Sequence, residues 1–209
     1  MKIALFGATG GTGREVLSQA LENDIQVTAC VRTPEKIADV THPNLSLIQG
    51  DALDKNAVEL TVANQEAVVS TLGAGAKRSS LREESTKMII EAMETHCVKR
   101  LISLSSLGVG ESRKNLDFFT KYIIVDVFLR HAFADHEEQE KLIRECGLDW
   151  TIVRPPHLID GPQTGEYQSG FACDYRKIKS KISRADVADF MLQQLTDDSN
   201  IRKAVGVSY

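Results

Sequence analysis

Several features that define other classes of protein are missing from this chain of 209 residues. Its net charge of −4 and its pI near 5.8 leave no basic excess, which argues against a nucleic-acid-binding surface. No C-x-x-C pair occurs. The four cysteines are widely spaced, which predicts reduced thiols in a cytoplasmic protein and not a disulfide framework: Cys30, Cys97, Cys146 and Cys173.

Long apolar runs are missing as well. The first apolar run is too short for a signal peptide, and residues 116–129, the richest apolar region, are interrupted by charged residues, so no segment is expected to span a bilayer. That region can be a buried helix or a subunit interface; we favour burial and expect a monomer or a weak homo-oligomer. Without repeats or low-complexity linkers, residues 1–209 are predicted to form a single domain.

A glycine-rich turn follows the first apolar run, residues 3–6, and a helical pattern follows the turn. Strand, glycine turn and helix in that order indicate dinucleotide binding, because glycine lets the main chain approach a pyrophosphate that the helix N-terminus attracts. A turn that only joins strand to helix is the alternative. The predicted cofactor-binding residues of this turn are Gly7, Thr9, Gly10, Gly11, Thr12 and Gly13.

The next predicted strand, residues 25–31, ends at Arg32, which lies 19 residues after Gly13. An acidic residue near this position hydrogen-bonds the ribose 2′-hydroxyl of NAD, whereas an arginine suits the 2′-phosphate of NADP. No carboxylate is expected at the strand end to repel the phosphate. The sequence therefore predicts NADP(H) over NAD(H), the alternative being that Arg32 is a solvated loop cation.

Further strands are predicted at residues 45–48, 67–71 and 100–104, alternating with helices. This alternation predicts an α/β fold: a Rossmann-type, doubly wound parallel sheet of order 3-2-1-4-5-6, with a small C-terminal substrate-binding region. Ligands bind such sheets beyond the carboxyl ends of the strands.

Two more loops at that edge are candidates for cofactor binding. Asp51 and Ala52 follow the third strand, where Asp51 can hydrogen-bond the adenine, although a helix cap is favoured for Asp51 or Asp54. After the fourth strand, a small-residue loop is expected beside the first glycine turn, or is simply a flexible connection: Leu72, Gly73 and Ala74. Residues 80–83 match a capping box that opens the next helix.

Ser105 and Ser106 end the fifth strand, where short-chain dehydrogenases place their active-site serine. Those enzymes pair it with Tyr-x-x-x-Lys on the next helix, but here Tyr122 is followed four residues on by Asp126. The region after it holds no H-E-x-x-H motif, so solvated helix faces and no metal site are expected for its histidines and glutamates: His131, His136, Glu137, Glu138 and Glu140.

Motifs along the whole chain resemble an atypical short-chain dehydrogenase/reductase family, the NmrA-like NAD(P)-binding proteins, and within it the flavin reductase and biliverdin-IXβ reductase branch. The motifs are GATGGTG, VRT, GDALD, RPPHLID, GPQTGEY and ISRADVA. The resemblance implies phosphate contacts from the glycine turn, Arg32 on the 2′-phosphate and Asp51 near adenine. It also implies groups around the nicotinamide and the acceptor: Ser105 or Ser106, Pro155, Pro156 and His157.

The resemblance implies an NADPH-dependent oxidoreductase that transfers hydride to a small conjugated acceptor, such as a flavin or a biliverdin-like tetrapyrrole, in a pocket formed by residues 155–181. No nucleic-acid or membrane partner is expected. Such acceptors take hydride without a strong side-chain acid, so the protein is expected chiefly to orient the nicotinamide against the acceptor. The candidate catalytic residues are Ser105, Ser106 and His157. The serines can instead cap the strand end, and His157 can be an ordinary loop residue. A non-catalytic NmrA-like redox sensor, acting through a protein partner, is the alternative function.

Overall fold

A computed structural model of the chain describes residues 1–73, 79–115, 129–170 and 180–209, without the side chains of residues 114 and 115. The predictions made for Ala74 and for the apolar helix over residues 116–128 therefore lie outside the described residues.

Strands and helices alternate through most of the described chain. The strands are β1 (Lys2–Phe6), β2 (Gln26–Val31), β3 (Leu45–Gln49), β4 (Ala67–Ser70), β5 (Arg100–Leu104), β6 (Asp149–Arg154), β7 (His157–Ile159), β8 (Gln168–Ser169), β9 (Lys181–Ser183) and β10 (Lys203–Ser208). The helices are α1 (Gly11–Glu22), α2 (Lys55–Val62), α3 (Leu81–Thr95), α4 (Arg130–Glu145) and α5 (Arg184–Gln193).

The main sheet has the order β3-β2-β1-β4-β5-β6-β10-β8. Neighbouring strands from β3 to β10 run parallel, and only the short β8 pairs antiparallel, with β10. The predicted doubly wound fold and its strand order are confirmed. A separate parallel pair, β7 with β9, lies in the segment predicted to form the substrate region.

Helices cover both faces of the sheet because the strands present apolar side chains on both sides. Leu5 packs in a cluster with residues of α1 and α5 such as Leu17 and Met191. Its neighbour Phe6 packs in a second cluster with residues of α2, α3 and α4. Successive side chains of a strand point to opposite faces, so one strand contributes to two cores.

Two helix starts show how far local sequence determines the boundaries. Asp54 caps α2 by accepting a 2.9 Å hydrogen bond from the Asn56 N–H, one of the two caps that we expected. The prediction of a capping box at the start of α3 is wrong, because the Ser80 side chain accepts no hydrogen bond from a backbone N–H of that helix. The Asp135 carboxylate of α4 instead accepts from the Glu83 N–H at 3.2 Å.

No helix within the described residues is long and apolar enough to cross a membrane.

Candidate functional site

The first glycine turn is packed too tightly against its surroundings for a side chain at two of its positions. Gly7 has a φ of +91°, and a Cβ there would lie 2.7 Å from Thr71 Oγ1. A Cβ on Gly13 would lie 2.0 Å from the Gly7 carbonyl oxygen. Glycine is required at both positions, so the turn brings bare main chain to the carboxyl edge of the sheet, as a bound pyrophosphate needs.

The helix that follows this turn begins without a side-chain cap. Gly10 is its N-cap, and its first turn contains no acidic residue. Thr9, Gly10 and Gly11 are exposed, whereas Thr12 is buried. An exposed helix start with no side-chain cap and no acidic residue in its first turn fits the phosphates of a dinucleotide.

Arg184, at the start of α5, lies over the glycine turn and was missed by the sequence reasoning. A Cβ built on Gly11 would come within 2.7 Å of Arg184 Cδ and Nε. The guanidinium pairs with Asp160, with Nη1 and Oδ1 2.6 Å apart. Arg184 thus links the glycine turn to the segment that contains β7.

Arg32 has an acidic neighbour, contrary to the prediction that no carboxylate would lie at this strand end. Arg32 Nη1 lies 3.7 Å from Asp51 Oδ2, and the two side chains are 68% and 40% exposed. The residues are far apart in sequence, but the parallel pairing of β2 with β3 brings both strand ends to one edge. The Asp51 carboxylate also accepts from the Leu53 N–H at 3.0 Å, and Ala52 is buried.

The loop after β4 lies beside the first glycine turn, as predicted. The Thr71 hydroxyl donates a 3.0 Å hydrogen bond to the Phe6 carbonyl, directly before Gly7. Leu72 packs against the core on the α2–α4 face, and Gly73 is exposed. A Cβ on Gly73 would lie 3.8 Å from Arg82 Nη2, so this loop is also close to the start of α3.

The two candidate serines differ in their surroundings. Ser105 is 5% exposed, and its hydroxyl donates a 2.6 Å hydrogen bond to Glu140 Oε1 of α4. Ser106 is partly exposed, and its hydroxyl lies 3.3 Å from the Leu107 carbonyl oxygen. Ser105 is therefore the serine that is turned toward α4, and Ser106 is the more exposed of the two.

The expectation of solvated faces on α4 is wrong for His136 and Glu140, which are 9% and 4% exposed. It holds for Glu137 and Glu138, which are exposed. The buried pair share a helix face with two apolar residues, Phe133 and Ile143, and this was the signal that could have revealed their burial.

His136 lies within a buried polar cluster. Its Nδ1 is 3.1 Å from Gln139 Oε1, and Gln139 Nε2 in turn donates to Ser103 Oγ at 3.1 Å. Burial, assisted by the positive charge of Arg82, lowers the pKa of His136 to about 3. The imidazole is therefore neutral near neutral pH and is no reserve of protons there.

Arg154, the last residue of β6, joins three segments of this region. It is 2% exposed, and its Nε donates to Glu140 Oε1 at 2.9 Å. Its Nη1 donates to Glu111 Oε1 at 2.8 Å, in a 3₁₀ turn (Gly110–Asn115) that follows the serines. Burial alone would lower the pKa of Arg154, but the hydrogen bonds to both glutamates raise it. The guanidinium therefore stays charged.

A second buried ion pair holds α3 against α4. Arg82 Nη1 lies 3.0 Å from Asp135 Oδ2, and both side chains are at most 8% exposed. Among the described residues, the buried Arg82 Nε has no hydrogen-bond partner. This pair therefore holds the start of α3 against α4, the helix that also accepts the hydrogen bond from Ser105.

Pro155 and Pro156 directly follow Arg154. The buried Pro155 accepts a 2.8 Å hydrogen bond from the Leu107 N–H, which holds the end of β6 against the segment after the serines. His157 is exposed, and its backbone N–H donates to the Ser180 carbonyl at 3.2 Å.

Asp186 anchors the middle of the segment predicted to form the pocket. Its fully buried carboxylate accepts from the backbone N–H groups of Thr164 and Gly165 at 2.7 and 2.9 Å. It also accepts from the hydroxyl of the last residue, Tyr209, at 2.6 Å. Burial opposes ionisation, but these hydrogen bonds lower the pKa of Asp186, so the anchor is a carboxylate.

Other chemistries find little support in the described part of the chain. It contains no group of three or more side chains suited to holding a metal ion. The three cysteines that it includes, Cys30, Cys97 and Cys146, are free thiols. In the sequence, Tyr175 and Lys179 do have the Tyr-x-x-x-Lys spacing, but they follow β6 and not β5 in the chain, and they lie outside the described residues.

The parallel sheet and the glycine turn at its carboxyl edge define a Rossmann-type dinucleotide-binding protein. The chain belongs to the NAD(P)H-binding family, whose sequence profile matches residues 7–198. A nicotinamide dinucleotide as cofactor is thereby confirmed.

The chain is similar to known proteins over nearly its whole length. The uncharacterised protein YwnB of Bacillus subtilis is 27% identical, with 93% of this chain and 92% of YwnB covered. ChuY of Escherichia coli O157:H7, an anaerobillin reductase, superposes with a TM-score of 0.82 at 23% identity, covering 100% of this chain and 97% of ChuY. A short-chain dehydrogenase/reductase of Veillonella parvula in complex with NADP has a TM-score of 0.82 at 21% identity, covering 100% and 94%.

Proposed function

We propose that this protein is an NADPH-dependent reductase that transfers hydride to a small conjugated acceptor, such as a flavin or a biliverdin-like tetrapyrrole. The cofactor would supply the hydride. The chain would bind and orient it through the glycine turn, with Arg32 on the 2′-phosphate and the β5 and β6 ends near the nicotinamide.

The observation that carries the proposal is that the described groups around the β5 end cannot serve as a strong acid. The Ser105 hydroxyl donates a 2.6 Å hydrogen bond to Glu140 Oε1, so its proton is not directed at a ligand. The buried His136 has a lowered pKa and is neutral. A ketone needs a proton donor at its oxygen as hydride arrives, whereas a conjugated heterocycle spreads the added charge over its ring system. The proton would come from water or from the exposed His157.

Two further points support this acceptor class. The segment with the β7–β9 pair carries the motif by which the chain resembles flavin and biliverdin reductases, and Asp186 holds its centre in place. ChuY, which has the same fold, is an anaerobillin reductase.

The test is to mix the protein with NADPH and FMN, riboflavin or biliverdin and to follow the nicotinamide absorbance. We expect acceptor-dependent oxidation of NADPH, faster than with NADH. No turnover with any flavin, bilin or quinone would contradict the proposal.

A non-catalytic redox sensor is the second candidate, because it too is compatible with a β5 end at which the described groups supply no strong acid. It would bind NADPH and NADP⁺ with different affinities, consume neither, and act through a protein partner. Binding without turnover in the assay above would favour this function.

A further inference from the structure

The hydroxyl proton of Ser105 is directed at Glu140. Its partner, Glu140 Oε1, also accepts from Arg154 Nε at 2.9 Å, and Arg154 Nη2 donates to the other carboxylate oxygen. A carboxylate paired with a guanidinium only accepts hydrogen bonds, so the hydroxyl must donate its single proton to Glu140. Toward a ligand, Ser105 Oγ can then offer only lone pairs.

Glu140 has little freedom to turn away from the Ser105 hydroxyl. It is 4% exposed, and Arg154, at 2% exposed, is held on its other side by Glu111. Arg144 Nη2 adds a further contact, 3.5 Å from Glu140 Oε2. Contacts from α4, β6 and the turn after the serines therefore lock the carboxylate in one position, as support for a preorganised site requires.

Taking the reductase function above as its basis, we propose that Glu140 is a positioning residue that makes Ser105 a dedicated acceptor for an N–H donor of the bound ligands. Two donors have this chemistry: the carboxamide of the nicotinamide and a ring N–H of the conjugated acceptor. A ketone or aldehyde oxygen has no such proton and gains nothing from this serine.

The first experiment measures binding and needs no turnover. NADP⁺ is compared with its 3-acetylpyridine analogue, in which a methyl group replaces the carboxamide nitrogen. If the carboxamide is the donor, the wild-type protein prefers NADP⁺ by about tenfold, the value of one hydrogen bond of about 1.4 kcal/mol. Ser105→Ala should abolish that preference.

Glu140→Asp keeps the charge that Arg154 requires but shortens the side chain, so that the carboxylate no longer reaches Ser105. We expect this variant to lose the preference as Ser105→Ala does, and the double variant to lose nothing more, because both changes remove one interaction. Glu138→Asp, on the exposed face of the same helix, is the matched control and should keep the full preference.

The second experiment covers the other donor. Riboflavin is compared with 3-methylriboflavin, which lacks the N–H of the oxidised flavin ring, in NADPH oxidation. If the acceptor supplies the N–H, wild type and Glu138→Asp should discriminate against the methylated compound by about tenfold in kcat/KM. Ser105→Ala and Glu140→Asp should not discriminate.

Loss of either preference in both single variants, without further loss in the double variant, supports the proposal. Additive losses would overturn it, because Glu140 would then act independently of Ser105. Ser105→Ala that leaves both preferences intact would overturn it even if Glu140→Asp did not fold. If the wild type binds NADP⁺ but reduces no acceptor, the reductase function fails and the analogue comparison alone decides the proposal. A preference that both single variants lose then supports the role of Glu140, and a wild type without a preference overturns it.

Discussion

The two halves of the candidate site are built by different means. At the cofactor half, Thr9, Gly10 and Gly11 and the Arg32–Asp51 pair are exposed in whole or in part, and they come from the segments that follow strands β1, β2 and β3. At the acceptor half, Ser105 depends on the buried residues Glu140 and Arg154, which come from α4 and β6. The first half presents exposed groups from segments close to their own strands, whereas the second depends on buried contacts between distant parts of the chain.

The largest difference between the halves should appear on removing Arg154. Arg154→Met leaves the buried Glu140 carboxylate without its main partner, and losing one member of a buried ion pair costs about 3–5 kcal/mol in unfolding free energy. Urea unfolding measures this loss. Arg130→Met, an exposed position at the start of α4, is the control and should change stability by less than about 0.5 kcal/mol. Equal losses of unfolding free energy in the two variants would show that the acceptor half does not depend on the buried pair of Arg154 and Glu140.

Arg32→Asp should behave in the opposite way, with little change in stability and a large change in affinity. Loss of a charge-assisted contact to the 2′-phosphate should weaken NADPH binding by about 10- to 100-fold and spare NADH. Arg202→Asp makes the same charge change just before β10, at the amino edge of the sheet, and should leave both affinities unchanged. Equal weakening of NADPH and NADH by Arg32→Asp would show that Arg32 does not contact the phosphate.

Asp51→Asn tests the finer balance of the cofactor half. The carboxylate lies 3.7 Å from the Arg32 guanidinium and competes with a 2′-phosphate for it. Exposed pairs contribute about 0.2–1 kcal/mol, so we expect NADPH affinity to rise by up to about fivefold at low salt, less at high salt. A fall in NADPH affinity, measured by titration, would show that Asp51 orients Arg32 or binds the adenine instead.

The smallest effect is expected from acid on the acceptor half. Burial alone would raise the pKa of Glu111, but hydrogen bonds from Arg154 and the charges of Arg154 and Arg144 lower it to about 2. The stability that this carboxylate provides is therefore complete above its ordinary pKa of about 4.5 and is lost as the pH falls toward 2. Wild type should be more stable than Glu111→Gln at pH 6, and the difference should shrink by pH 3. A pH-independent difference would contradict this assignment.

The same contrast explains what could be read from the sequence. Strands β1 to β5, their order and the glycine turn follow from local patterns, because apolar runs and glycines determine the backbone conformation at their own positions. The burial of α4 does not follow from local patterns, because acidic residues such as Asp135 and Glu140 are typical of a protein surface. They are buried here because each forms an ion pair with an arginine of another element, Arg82 and Arg154 respectively. Asp135 lies 53 residues from its partner, and such pairing exists only in the folded sheet. The carboxylate beside Arg32 was missed for the same reason.

Isothermal titration calorimetry with NADPH, NADP⁺ and NADH tests the central claim, that the carboxyl edge of β1 and β2 binds a 2′-phosphorylated nicotinamide dinucleotide. We predict saturable binding of one NADPH or NADP⁺ per chain, with NADH at least about tenfold weaker, the difference that one charge-assisted contact to the 2′-phosphate supplies. No binding of NADPH or NADP⁺, or NADH bound as tightly as NADPH, would contradict the account.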